Sequence, residues 1–261
     1  MVLQRIGSVV RRTLQTAMVL QVLASTQVFA SDHQALLKAT VKLDFEYIPA
    51  LHYTSQGNFV ASEQAMHELK RQWQQFSSVY SSSEVDPQWQ HFVAAAGRMI
   101  EAADQHVLGG DLIQAHKELE GVRVTLQGLR ERNGITDYFL DQLHGYHVHM
   151  DAIVQAGKGK TAAQMTLKDV RTIQKHWAQV WPRWEKIRHQ VSRAQFDQAF
   201  YNFSDDRLVE LKQAISEEQV ALYQLKLALL NGDRGRIARA AEGLSSGFMR
   251  TYRAFGDIPY D

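Results

Sequence analysis

The chain has 261 residues, no cysteine, and 29 basic against 28 acidic side chains. Without cysteine there can be no disulfide, thiolate metal site, iron–sulfur cluster, covalently attached haem or cysteine nucleophile. A charge balance this close to neutral gives no basic field for nucleic acid or anionic lipid.

The first feature in chain order is a leader. Arg5, Arg11 and Arg12 form a positive segment, Thr13–Thr26 is uncharged and mostly apolar, and Val28-Phe29-Ala30 places small residues where signal peptidase reads them. The expectation is a signal peptide over 1–30, cleaved after Ala30, with the periplasm as destination and full secretion as the alternative. The apolar run is too short and too glutamine-spotted to cross ~30 Å of hydrocarbon. Thr13-Leu14-Gln15 after Arg11-Arg12 makes a poor twin-arginine signal, which favours export of the unfolded chain. Removing Arg5, Arg11 and Arg12 takes the 29 basic residues to 26 against 28 acidic ones, a net charge of −2 over 31–261. No later stretch reaches ~18 consecutive apolar residues, so the mature chain is expected to have no membrane span.

From residue 34 onward, apolar residues recur every three or four positions, and Ala, Leu, Gln, Glu, Lys and Arg predominate. Trp89, Phe92, Val93, Ala96, Ile100, Ala103 and Val107 make one stripe, and Leu112, Ala115, Leu119, Val122, Leu126 and Leu129 make the next. Leu208, Leu211, Ile215, Leu222, Leu225 and Leu229 repeat the pattern. The spacing predicts an all-α protein with helices near 34–55, 59–80, 87–108, 111–132, 137–157, 162–192, 204–230 and 233–255. Asp86-Pro87 and Ser204-Asp205-Asp206 are start signals, whereas Gly109-Gly110-Asp111 and Asn231-Gly232-Asp233 each read as a stop followed by a new N-cap. Pro182 is expected to kink or split its helix.

Internal similarity pairs Gly110-Asp111 with Gly232-Asp233, Asn133-Gly134 with Phe255-Gly256, Leu126 with Phe248, Val122 with Leu244 and Ile100 with Leu222. With gaps, Leu43-Asp44 aligns with Met150-Asp151 and Trp73 with Trp177. These matches predict a duplication. Two tandem antiparallel four-helix bundles would result, over 31–135 and 136–261, and one continuous helical array sharing a core is the alternative.

Tyr138–Asp151 opens the second half and carries His144, His147 and His149. On a helix, Phe139, Leu143, Tyr146, Met150 and Ile153 share the core face, while Asp141, His144, His147 and Asp151 fall on a neighbouring one. His and Asp at such spacing can bind one divalent ion, and imidazole with carboxylate suits zinc, copper or nickel. The plainer reading is a solvated polar flank beside a core seam. His149 points elsewhere and reads as surface. Glu218 lies on the stripe between Ile215 and Leu222, and the expectation is an interior-facing metal ligand or, more plainly, a paired or snorkelling carboxylate. The Glu-x-x-His pair that carboxylate-bridged di-iron bundles need on two helices is absent. His106 and His116 flank the Gly109–Asp111 turn, with Asp104 nearby. Non-covalent haem ranks behind a divalent metal, because no histidine accompanies Met249 on the last helix.

Trp177, Trp181 and Trp184 can share one helix face, either as core or as an exposed patch for a partner or ligand. Gly-x-Ser-x-Gly, a phosphate loop, a dinucleotide fingerprint and His-Glu-x-x-His are all absent, and Gly157-Lys158-Gly159-Lys160 reads as a basic joint. The expectation is therefore an exported, soluble, non-catalytic protein that binds a protein partner or small ligand. The alternative is a metal- or haem-binding protein with a single site in the second half.

Overall fold

The computed structural model describes residues 34–81, 86–192 and 196–259; the predicted signal peptide lies outside them. The described residues are all-α. Helix α1 covers 34–55. It is followed by α2 (Phe59–Tyr80), α3 (Trp89–Leu108), α4 (Leu112–Arg132), α5 (Phe139–Gly157), α6 (Leu167–Ser192), α7 (Asp205–Asn231), α8 (Arg234–Glu242) and α9 (Leu244–Arg253). No helix among the described residues is long and apolar enough to cross a membrane.

The helix ends follow the local chemistry of the sequence. Asn58, Asp111, Ser204 and Asp233 each cap a helix by accepting from the backbone N–H three residues on, which satisfies one donor the first turn leaves free. The two turns paired by internal similarity share a geometry. Gly110 and Gly232 have φ of 78° and 67°, a region that carries a Cβ penalty for other residues, and an aspartate cap follows each. Pro182 lies within α6, so of the expected kink or split the split does not occur, and the helix tolerates one missing N–H. One expectation is corrected. The single helix expected over 233–255 is broken into α8 and α9 at Gly243.

The compact unit starts at Lys42 and includes everything to the C-terminus. Within it α3 packs mainly on α4, α5 on α6, and α7 on α9, while α8 inserts between α5 and α7. Residues of α1 tie distant parts of this unit together. The Tyr47 hydroxyl donates to the Leu119 carbonyl at 2.7 Å, the Tyr138 hydroxyl donates to Asp44 Oδ2 at 2.6 Å, and the Asp257 N–H donates to the Phe45 carbonyl at 2.9 Å. The predicted α5 core face is buried as a set, with Phe139, Leu143, Tyr146, Met150 and Ile153 all inside. Tyr146 packs against Trp184 (ring centroids 4.7 Å apart) and Phe248 (5.7 Å). Burying an aromatic side chain of this kind contributes about 2–3 kcal/mol, so this cluster anchors α5, α6 and α9 to one another.

Candidate functional site

Beside the aromatic cluster, on the face of α5 towards α4, two imidazoles meet a carboxylate. His144 and His147 stand one turn apart on α5, and Glu120 reaches them from α4. One ligand atom from each lies within 4.8 Å of the others. The His147 ring lies flat on Phe248, with centroids 4.9 Å apart and planes 2° from parallel, so α9 fixes its orientation. His144 Nδ1 is buried without a hydrogen-bond partner. A ring nitrogen buried without a partner is costly unless something binds it.

The electrostatics keep both imidazoles neutral. Burial, then the Arg123 guanidinium and then His147 push His144 down to about 4. Burial, Arg123 and His116 push His147 down to about 4 as well. Neutral imidazole is the form that binds metal. Arg123, itself buried, donates through Nη2 to Glu120 Oε2. That bond orients the carboxylate and leaves Oε1 turned towards His116, whose Nε2 is 3.8 Å away. Two neutral imidazoles and one oriented carboxylate form a donor set suited to zinc, copper or nickel.

The other residues singled out from the sequence go elsewhere. Asp141 is buried against Arg130, receiving Nε at Oδ2 over 2.8 Å and Nη2 at Oδ1. Its helical neighbours put it near the histidines, but the stronger bidentate partner turns it towards α4. Asp151 is exposed and accepts from Gln155 at 3.2 Å. Glu218 is fully buried, yet its partner is the Tyr146 hydroxyl, which hydrogen-bonds Oε1, while Oε2 has none. Burial drives its pKa up to about 8, against the lowering effect of Tyr146 and the Phe248 backbone. At neutral pH this carboxyl is therefore largely protonated. Asp104 pairs with Lys70. His149, read from the sequence as surface, sits half-buried with Nδ1 3.1 Å from Nδ1 of His176.

The tryptophans divide. Trp184 is buried in the core. Trp177 and Trp181 are half-exposed and stacked with centroids 5.4 Å apart; Trp181 meets the edge of Tyr223, and Lys226 Nζ lies 5.1 Å from its ring centroid.

Sequence reasoning missed Glu120. The available signal was its spacing from His116, four residues along α4 and beside the buried stripe Ala115, Leu119 and Val122. No protein-family model, curated protein or solved structure matches the chain.

Proposed function

We propose that this is an exported, non-catalytic helical protein that binds one divalent transition-metal ion through His144, His147 and Glu120. The observation that carries the reading is the convergence of these donors from two helices, both imidazoles being neutral and one nitrogen buried without a partner. Export rests on the leader, with its arginines, apolar run and Val28-Phe29-Ala30 ending. Equilibrium dialysis of untagged protein against zinc, copper and nickel, followed by elemental analysis, tests the reading. One ion per chain is expected, lost in His144→Ala/His147→Ala. Equal uptake by the wild-type protein and that variant would overturn it.

A second reading, capture of a protein partner, is favoured by a different region. Trp181, stacked on Trp177 of the same helix, meets Tyr223 of α7, and Val220, Tyr223, Leu227 and Leu230 at helical spacing along α7 are large exposed apolar residues. Contiguous apolar surface of this kind marks binding surfaces. If it captures a partner, Trp181→Ala should abolish co-purification of that partner while leaving metal uptake intact.

A further inference from the structure

We infer that the ion takes an exogenous oxyanion as its fourth ligand, with one oxygen on the metal and another accepting from the Arg123 Nε–H. This rests on the metal-binding reading above and names the chemistry that completes the site. Zinc-class ions hold four donors in most protein sites, and a site with three protein ligands keeps its fourth position for an incoming molecule. Among the described residues, the His, Asp and Glu donor atoms that lie within 4.8 Å of one another come from Glu120, His144 and His147 alone.

Charge decides what kind of molecule enters. Before loading, the Glu120 carboxylate and the Arg123 guanidinium cancel, joined through Nη2 on Oε2. A ligating imidazole is neutral, so a divalent ion leaves its two positive charges uncompensated in this group. The three ligands are half-buried and Arg123 is buried. Positive charge held out of water in this way is costly unless it is paired. The Arg123 charge acts on both His144 and His147, so it reaches the whole donor group. An anion balances that field, and a neutral molecule does not.

The guanidinium has an unused place for that anion. Nε–H and Nη2–H project from one edge of the planar fork, as Arg130 shows by donating through Nε to Asp141 Oδ2 at 2.8 Å and through Nη2 to Oδ1. Arg130 fills both positions; Arg123 fills one. Its Nη2 donates to Glu120 Oε2, whereas its Nε is buried without a partner. The unused N–H therefore lies on the edge that faces the ligating carboxylate, and burying it unpaired is costly. An oxyanion can hold the metal with one oxygen and satisfy Nε with a second. Carboxylates and phosphate-type groups share this chemistry, and a halide, with a single atom, lacks it.

The test loads untagged protein with cobalt(II), whose visible bands report its ligands, and titrates it at constant ionic strength with acetate, methylphosphonate or chloride. A saturable one-to-one change in the bands is expected with acetate or methylphosphonate, which separate a carboxylate from a phosphate-type ligand, and no change with chloride. In zinc-loaded protein labelled with nitrogen-15 at arginine, the Arg123 Nε–H signal should shift with the same anion. Arg123→Lys keeps the charge and loses the fork, so it should bind that anion about 10-fold or more weakly. Cobalt bound at one per chain with bands indifferent to both oxyanions would overturn this inference and leave the proposed function standing. An equal response to chloride, or a band change with the Arg123 Nε–H unmoved, would overturn it as well. No stoichiometric cobalt would overturn both. The titrations and the nuclear magnetic resonance arm need only the wild-type protein, so they decide the matter even if Arg123→Lys does not fold.

Discussion

Replacing Glu218 with glutamine isolates the energetic consequence of a carboxyl sealed in an aromatic core. An ordinary glutamate ionises near 4.5, whereas burial raises Glu218 to about 8. In the folded protein the group stays protonated while its unfolded counterpart ionises, so its contribution is fully present below about 4.5. That contribution is lost progressively as pH rises towards about 8. At about 1.4 kcal/mol per pH unit, the loss across this window comes to about 5 kcal/mol. Against a total stability of about 5–15 kcal/mol for a typical domain, that is large. Glutamine keeps the acceptor for the Tyr146 hydroxyl but cannot ionise. Urea unfolding followed by circular dichroism at pH 5, 6, 7 and 8 should therefore show the wild-type protein losing stability relative to Glu218→Gln at each step. The difference between the proteins cancels the titration of every other group. A constant offset from the buried amide is expected; the slope is the readout. Parallel pH curves for the two proteins would refute the argument that Glu218 is neutral because it is desolvated.

Metal affinity should change little between pH 7 and about 5 and fall only as pH approaches about 4, because His144 and His147 are held down to about 4; isothermal titration checks this, and a loss centred near 6.5 would contradict it. Gly247→Ala should destabilise the protein by about 1–3 kcal/mol, since a Cβ there would stand 2.6 Å from the Glu218 backbone nitrogen and force α9 off α7; an unchanged thermal midpoint would show that the contact is slack. Asp141→Ala should cost about 3–5 kcal/mol by leaving the Arg130 guanidinium buried and unpaired, measured by chemical denaturation, with Arg130→Met/Asp141→Leu recovering most of the loss. Trp184→Ala should cost about 3–5 kcal/mol, while Trp181→Ala, at a half-exposed position, should cost far less in the same assay.

The fate of the α5 stretch shows how far the sequence could be read. Its core face could be assigned because helical periodicity is local, and Phe139, Leu143, Tyr146, Met150 and Ile153 had only to follow it. The polar face could not be assigned in the same way. Asp141, His144, His147 and Asp151 are equivalent in spacing, yet one is taken by Arg130, one faces water and two meet Glu120. Which of these happens depends on what α4 presents, and no regularity within α5 encodes that. Glu218 was correctly expected to point inward, but its partner is a tyrosine from α5 at a sequence distance of 72. Trp177, Trp181 and Trp184 share spacing too, and Pro182 does not separate them; only the placement of α5 and α7 around α6 buries one and leaves the others half-exposed.

By itself the sequence determined the all-α class, the positions where most helices begin and end, the absence of thiol chemistry and the apolar faces that build the core. These depend on backbone hydrogen bonding, capping and burial periodicity, which act over a few residues and leave a regular trace. Tertiary structure alone decided which polar side chains share a site. That choice joins Glu120 of α4 to His144 and His147 of α5. A site of this kind is defined by distances of a few ångströms between residues far apart in the chain, and the energy that fixes those distances comes from the packing of the helices as a whole.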